Sequence, residues 1–184
     1  SRHYLGAKDR RFISETVYGL VRHFKLVQVY AEGALKLTGG IVPPQGVPSM
    51  VLIGVYSVKV MNEAVDALMP DVSGLWRVYV PGIDCKVFLE AVSSVSLPSA
   101  IENDKTRSLA TRFSFPEIVV QEWLERYGSH ETELLCASSN SPAPITIRVN
   151  TLATTVTHCE ATLLDEGINT QRTSLSPVGL KLEK

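Results

Sequence analysis

The sequence has few cysteines and no concentrated set of metal ligands. Cys85, Cys136 and Cys159 are far apart and form no Cys-x-x-Cys pair, and the four histidines are equally dispersed. A zinc site needs ligands that converge at short spacings, so we expect no metal. An odd, unpatterned cysteine count is typical of free thiols in a reducing compartment, which predicts a cytoplasmic protein.

Long hydrophobic runs are also missing. The most apolar stretch, residues 50–58, is too short to span a bilayer and leads into Lys59, Asn62 and Glu63. The basic residues near the beginning precede no purely apolar stretch, so no signal peptide is expected. We therefore predict no association with a membrane and a buried helix at residues 50–58.

Net charge is the third quantity that is small. The chain has 18 basic and 19 acidic residues and a formal charge of −1. This balance provides no global attraction to nucleic acid, so any RNA contact must come from a local patch. The 45% hydrophobic content is enough for a packed core, and 184 residues can form two small domains.

The first half of the chain has helical patterns. Residues 9–26 predict an amphipathic helix whose apolar side carries positions 13, 17, 20, 21 and 24, and residues 27–37 predict a second helix. After a Pro/Gly-rich loop at 41–49, residues 50–69 predict a long helix that is apolar nearly all round, as in the centre of a bundle. Pro70 and Gly74 are expected to break it, residues 76–80 are ambiguous, and 84–95 predict another helix.

The second half alternates between strand and helix patterns. Ser114 with Glu117 resembles a capping box that begins a helix, and Gly128 is expected to end that helix. Residues 145–150 and 178–183 alternate between apolar and polar side chains, which predicts two strands. Between them, Thr157 with Glu160 suggests a second capping box, and Gly167 closes the helix. Strand, helix and strand at this spacing predict a small α/β domain.

Several motifs, in order along the chain, resemble the front part of Sun (Fmu) RNA methyltransferases. Residues 9–12 (Asp-Arg-Arg-Phe) with 15–23 resemble the signature helix of their NusB-like domain, and residues 51–56 resemble its central helix. Residues 115–116 with 123–128 resemble the helix that opens the next domain. The most specific match is the Arg-Val-Asn strand at 148–150 after a Pro-rich loop, which is similar to their ferredoxin-like linker domain.

The resemblance implies a fold and a division into domains. An all-α, NusB-like helical bundle at residues 1–108 would be followed by a small ferredoxin-like α/β domain at 109–184. Three features depart from the family pattern. Little of the helix that normally precedes the Asp-Arg-Arg motif is present, and the helix at 88–94 lacks its terminal basic residue. The S-adenosylmethionine loop and both cysteine motifs of the catalytic domain would lie beyond residue 184.

The candidate RNA-binding residues combine basic side chains with one aromatic ring. Basic helix faces are usually solvated surfaces, but the NusB-like resemblance favours RNA, and arginine suits phosphate oxygens better than lysine. Trp123 and Tyr127 are expected to pack in the core. Asn150 is expected to shape a turn, while Arg148 could equally contact RNA or hold the loop at residues 140–144, and it could instead face the catalytic domain. The candidates are Arg10, Arg11, Tyr18, Arg22, Lys25 and Arg148.

The expected function follows from the resemblance. The chain would bind and orient a structured RNA, presented to a downstream catalytic domain that forms 5-methylcytosine in rRNA or tRNA with S-adenosylmethionine as cofactor. None of the three cysteines matches a catalytic motif, so no catalytic, cofactor-binding or metal-binding residue is assigned. The alternatives are a NusB-like antitermination module, which binds RNA and a protein partner, and a protein-interaction module without RNA.

Overall fold

The computed structural model describes residues 6–183, apart from the side chains of Asp71, Leu75, Arg77 and Tyr79. The chain forms two compact units, Ser1–Asn140 and Ser141–Lys184. The first is helical and the second is a small α/β unit, so the predicted fold class is confirmed. The predicted boundary between residues 108 and 109 separates two groups of sequence motifs, whereas the two compact units reflect packing in the folded chain. That boundary stays a prediction.

The first unit is a set of packed helices. Helix α8 is bent at Gly128, whose φ of 77° ends the first segment as predicted and starts a second one. The helices are α1 (Ala7–Arg22), α2 (Phe24–Leu37), α3 (Ser49–Lys59), α4 (Val65–Tyr79), α5 (Cys85–Ser94), α6 (Ser99–Glu102), α7 (Lys105–Arg112) and α8 (Glu117–Asn140).

Helix α3 lies in the centre of this unit, as its all-round apolar pattern predicts. Val51 and Val55 are fully buried, and α3 packs against α1, α2, α4 and α5. Trp76 of α4 and Phe88 of α5 close the core with their rings 4.9 Å apart. Burial of aliphatic and aromatic side chains around one helix therefore holds this bundle together.

The predicted long helix at 50–69 is wrong in its extent. Helix α3 ends at Lys59, and Asn62 adopts a φ of 56°, a left-handed conformation that asparagine tolerates. Helix α4 then begins at Val65 and continues through Pro70 and Gly74 to the ambiguous segment at 76–80. Packing overrides these helix breakers, because Trp76 is buried and its indole Nε1 donates a hydrogen bond to the Ile83 carbonyl at 3.0 Å.

Both predicted capping boxes are also wrong. Ser114 precedes α8, but its hydroxyl accepts a hydrogen bond from the backbone N–H of Lys25 instead. Helix α9 (Val156–Asp165) is capped by Thr155, which accepts from the His158 N–H. The predicted cap residue Thr157 lies inside that helix. The side chains that local spacing predicted as helix caps thus form hydrogen bonds with residues farther away in the sequence.

Helix α1 contacts the rest of the bundle through a narrow side. Gly19 is its buried residue, and Leu20 packs at the edge of the core. The predicted apolar side does not become core: Ile13, Val17, Val21 and Phe24 are 45–62% exposed. A stripe of aliphatic and aromatic side chains consequently remains open along α1.

The second unit is a three-stranded sheet with one helix. The strands are β1 (Thr146–Arg148), β2 (Thr170–Arg172) and β3 (Gly179–Leu182), in the order β1-β3-β2, and β3 is antiparallel to both neighbours. Strands β1 and β2 are therefore parallel and joined through α9, with β3 inserted between them. The alternating sequence patterns predicted β1 and β3 but not β2.

An ion pair ties α9 to strand β2. The Arg172 guanidinium donates to both Glu160 carboxylate oxygens, at 2.9 and 2.6 Å, and to the Thr157 hydroxyl at 3.1 Å. These hydrogen bonds lower the pKa of Glu160. Glu160 and Thr157 thus connect helix and sheet rather than capping the helix.

Substitution of Gly19 tests the contact between α1 and α3. A Cβ at Gly19 would collide with the hydroxyl and ring carbon of the buried Tyr56. We expect Gly19→Ala to destabilise the protein by about 1–3 kcal/mol, which is typical of overpacking, and to lower the urea midpoint.

The matched control is Gly74→Ala in α4, where a Cβ would meet nothing within 4 Å. There the higher helix propensity of alanine should increase stability by up to about 1 kcal/mol. Equal midpoints for the two variants would contradict a tight contact at Gly19.

Candidate nucleic-acid interface

Helix α1 brings three of the predicted RNA-binding residues onto one side. Arg11, Tyr18 and Arg22 are seven and four residues apart, so an α-helix keeps them in one row about 16 Å long. The Arg11 side chain is 72% exposed and Tyr18 is 61% exposed, whereas Arg22 is half-buried. This row can present two guanidinium groups and a phenol ring to a ligand.

Arg10 lies on a different side of the same helix. One residue turns the helix by about 100°, so Arg10 shares its side with Val17 and Val21, seven and eleven positions later. Arg10 is exposed and belongs to the edge of the apolar stripe rather than to the row of Arg11.

An acidic residue lies within the basic row. The Arg11 Nε donates to the Glu15 carboxylate at 2.8 Å, and this hydrogen bond raises the pKa of Arg11. Exposed ion pairs contribute little to stability, because water solvates both charges well. A phosphate would therefore compete with Glu15 for the Arg11 guanidinium at modest cost.

Arg22 is close to the buried ring of Tyr56. Burial raises the pKa of Tyr56, and the nearby positive charge of Arg22 partly offsets that rise. The same end of α1 carries His23, whose Nδ1 lies 2.9 Å from the Gly19 carbonyl. Arg22 is thus positioned where α1 meets the bundle core.

Lys25 is separated from the row by the end of α1. It lies in α2, where its Nζ donates to the Phe115 carbonyl at 2.7 Å and its backbone N–H donates to the Ser114 hydroxyl at 3.1 Å. Ser114 has a φ of 59°, a strained conformation for a serine. Lys25 therefore holds the turn between α7 and α8, whatever else it contacts.

Arg148 belongs to the second unit. It is exposed on β1, whose neighbours Ile147 and Val149 are half-buried and buried. The next turn begins at Asn150, whose side-chain carbonyl accepts from the Leu152 N–H at 3.2 Å, so its predicted structural role is confirmed. The register places Lys181 on the same sheet face as Arg148. The candidate set did not include Lys181, although the alternation at 178–183 could have identified it.

The aromatic residues of α8 differ in environment. Trp123 is half-buried, and its ring lies 5.3 Å from that of Phe115 beside a small core of Leu109, Ala110 and Val120. Tyr127 is 48% exposed. Core packing thus describes Trp123 but not Tyr127.

Two of the three cysteine thiols, those of Cys85 and Cys136, are buried and poorly placed for nucleophilic chemistry. Burial raises the pKa of Cys85, and the neighbouring charge of Asp84 raises it further. Burial also raises the pKa of Cys136, with a further contribution from Glu133. A thiol with a raised pKa holds its proton at neutral pH, which disfavours the reactive thiolate.

A cavity of about 470 Å³ lies between the end of α2, the start of α3 and the turn after α4. Apolar side chains such as Leu35, Val51 and Ile83 line it, together with glycines and prolines. None of the described residues that line it is acidic, so none can bind the ribose hydroxyls or the ammonium group of S-adenosylmethionine. The cavity therefore does not fit that cofactor.

Residues 6–183 contain neither a cluster of metal ligands nor a helix that could span a membrane. No group of three or more histidine, cysteine, aspartate or glutamate residues is positioned to hold a metal ion there. Across the same residues, no helix is both long and apolar enough to cross a membrane.

The C-terminal part of the chain is similar to a known protein family. Residues 115–184 match the family described as Methyltr_RsmF/B-like, ferredoxin-like domain. Residues 115–184 are therefore similar to an RsmF/B-like ferredoxin-like domain. This match confirms the resemblance to the front part of Sun (Fmu) methyltransferases that the Arg-Val-Asn strand indicated.

Similarity to curated relatives extends beyond residues 115–184. "Probable ribosomal RNA small subunit methyltransferase B" of Synechocystis sp. is 28% identical over 191 residues, which cover 98% of this chain and 42% of the relative. The protein of the same name from Bacillus subtilis is 34% identical over 98 residues, 52% of this chain and 22% of the relative. The chain thus spans less than half the length of the curated relatives that it matches.

A solved structure shares the fold. The crystal structure of PH0851 aligns with 99% of this chain and 42% of its own, with a TM-score of 0.59 and 18% sequence identity. The helical region followed by the ferredoxin-like domain is therefore an architecture already seen in a longer protein.

Substitution of Lys25 distinguishes a structural role from a charge contribution. Lys25→Met removes the donor to the Phe115 carbonyl, and loss of a charged hydrogen bond typically costs about 1–3 kcal/mol. We expect a lower urea midpoint, which circular dichroism would measure.

Lys8→Met is the control, because Lys8 is exposed on α1 and makes no hydrogen bond or ion pair within residues 6–183. Its stability should stay within about 0.5 kcal/mol of the wild type. If Lys25→Met unfolds at the wild-type midpoint, the hydrogen bond to Phe115 does not stabilise the unit.

Proposed function

We propose that this chain is the RNA-binding, substrate-orienting N-terminal region of an S-adenosylmethionine-dependent methyltransferase that modifies C5 of a cytosine in ribosomal RNA. The match of residues 115–184 to the RsmF/B-like ferredoxin-like domain carries the proposal. The names of the relatives from Synechocystis and Bacillus subtilis support rRNA as the substrate class. We place the boundary of the helical RNA-binding module near residue 109.

The RNA contacts are assigned to local cations, because the net charge of −1 gives no general attraction. On α1, Arg11 and Arg22 would bind phosphate oxygens, and Tyr18 between them could stack on an unpaired base. Arg10 and Arg148 would add contacts from other surfaces. We assign Lys25 a supporting role through the turn between α7 and α8. Phosphate contacts of this kind position an RNA rather than read its sequence.

The chemical step is assigned to polypeptide outside this chain. Methylation of C5 requires a thiolate that attacks C6 and a methyl donor bound beside it. The raised pKa values of Cys85 and Cys136 oppose a nucleophilic role for either thiol, and no residue of this chain is proposed to hold S-adenosylmethionine. When bound to a downstream catalytic domain, that cofactor supplies the methyl group, while the present residues orient the RNA.

A stand-alone antitermination module is not favoured. Such a factor would be expected to end near residue 110, and it would not contain the ferredoxin-like domain that residues 115–184 match. Because the relatives are named as rRNA methyltransferases, we also propose a cytoplasmic location, where ribosomal RNA is available.

Charge reversal on α1 tests the RNA-binding role. Arg11→Glu/Arg22→Glu should weaken binding to a labelled RNA hairpin by roughly tenfold or more at 0.1 M salt, because phosphate contacts release counterions. Wild-type binding should weaken steeply as salt increases. Fluorescence anisotropy measures both effects.

Two controls separate local from general effects in that experiment. Lys36→Glu/Arg126→Glu changes the net charge equally at exposed positions of α2 and α8, and it should retain most of the affinity. Arg11→Gln/Arg22→Gln avoids a repulsive Glu–Glu pair at positions 11 and 15 and should lose affinity less. If the RNA affinity changes neither with salt nor in any of the three variants, the result would support a protein-interaction module instead.

Calorimetry tests the assignment of the methyl donor. Titration of the 184-residue chain with S-adenosylmethionine should release no heat of binding, because the cavity between α2 and α3 lacks acidic partners for the ligand. A SAM-dependent methyltransferase serves as the positive control. Saturable binding by the chain would place the cofactor site within these residues and overturn the assignment to a downstream domain.

A further inference from the structure

The strand register of the second unit places polar side chains on one face of the sheet. Thr146 of β1 is paired with Lys181 of β3, and Lys181 is paired with Gln171 of β2, so the three form a row across the sheet. Arg148 is two residues further along β1, and alternate residues of a strand share a face. Thr146, Arg148, Gln171 and Lys181 are all exposed. We call this the open sheet face.

The opposite face is the covered one. Leu180 is fully buried there, Val149 is 4% exposed, and Ile147 is half-buried. Helix α9 lies on that side, since Arg172 reaches it through Glu160. The small core of this unit thus lies under one face, and the other face is left to solvent.

The two cations of the open sheet face are uncommitted. Within residues 6–183, neither the Arg148 guanidinium nor the Lys181 ammonium forms a hydrogen bond or ion pair. The two side chains are diagonal neighbours on adjacent strands, a relation that separates Cβ atoms by about 7–8 Å or somewhat less. In contrast, ion pairs engage Arg11, Lys86, Lys105, Arg107, Arg112 and Arg172 elsewhere.

The surroundings of these cations leave their charge in excess. Gly179, opposite Arg148, has no side chain, and a Cβ there would collide with the Thr173 hydroxyl. The acidic residue nearest in sequence is Glu183, which lies just beyond the end of β3 on the side of Lys181. Two cations against one peripheral carboxylate make the open sheet face attractive to an anionic ligand.

The chemistry of the face indicates which ligand it would take. None of its strand residues is apolar, so it does not suit a protein interface, whose buried centre is usually apolar. None is aromatic, so it does not provide a platform for stacked bases. Guanidinium, ammonium, amide and hydroxyl groups match phosphate oxygens and ribose hydroxyls instead.

We propose that the open sheet face, with Arg148 and Lys181 as its phosphate-binding residues and Gln171 and Thr146 beside them, is a second RNA contact surface that holds the sugar–phosphate backbone without reading bases. This inference rests on the proposed RNA-binding function and extends it to residues 171 and 181. It predicts binding that depends on salt and is insensitive to base identity.

The test compares charge removal on the open sheet face with charge removal elsewhere. The probes are fluorescein-labelled oligouridylate and oligoadenylate, and anisotropy gives affinity as a function of salt. Arg148→Gln/Lys181→Gln should lower affinity for both RNAs roughly tenfold or more at 0.1 M salt. Each lost contact with a single strand should reduce the slope of log K against log salt by about 0.7, roughly 1.4 in total.

The matched control is Lys36→Gln/Arg126→Gln, which removes the same charge from exposed positions of the helical unit. It should keep both the affinity and the slope within a factor of about two. Thermal unfolding followed by circular dichroism should be unchanged in both variants, because the substituted side chains make no ion pair in the described part of the chain.

Several outcomes would overturn the inference in different ways. If the wild type binds RNA and Arg148→Gln/Lys181→Gln binds it with equal affinity and slope, the open sheet face is not an RNA surface, while the role of α1 stands. If the variant keeps RNA affinity but no longer binds the purified downstream catalytic region added in trans, the face docks protein. If the wild type binds neither RNA, both this inference and the proposed function fail.

Discussion

A helix that is apolar on nearly every side is stable in water only when other elements surround it, and α3 imposes this constraint on the first unit. Its residues 51–58 contribute most of their side chains to the core. Four neighbouring helices cover it, and α1 is the one whose coverage is narrowest, through Gly19 and Leu20. The basic row of Arg11, Tyr18 and Arg22 is displayed outward because the opposite part of α1 is used for this contact.

The cations of the protein divide into those that hold the fold and those that remain available. Lys59 donates to the Ser93 and Val95 carbonyls at the end of α5, Lys25 donates to Phe115, and Arg172 clamps α9 to the sheet. Arg148 and Lys181 have no such task within the described residues. A chain with almost no net charge can therefore still offer positive charge locally, where neighbouring cations form no ion pair within the described residues.

Separation of RNA positioning from chemistry agrees with the environment of the thiols. Cys85 and Cys136 are packed in cores, where burial keeps them protonated and unreactive. The surfaces that could bind RNA carry no candidate nucleophile. In the proposed function the present residues orient the RNA and a catalytic domain supplies the reactive sulfur, so no chemistry is required of Cys85 or Cys136.

Sequence alone determined the features that local pattern encodes. The all-round apolar segment became the central helix, the alternating segments became β1 and β3, and Gly128 and Gly167 ended their helices, because periodicity and backbone freedom act over a few residues. The motifs around Arg148 also indicated the family whose model residues 115–184 match.

Tertiary structure decided which partner each surface and side chain found. Ser114 and Glu160 have the spacing of helix caps, but each forms a hydrogen bond with a residue outside that local pattern. The Lys25 N–H donates to Ser114, and the Arg172 guanidinium donates to Glu160. Strand β2 has a polar sequence with no alternation, and it forms because β3 offers backbone partners at its free edge. The apolar side of α1 looked like core and stayed exposed. A sequence pattern records which side of an element is apolar or charged, whereas its coverage depends on elements brought together only by folding.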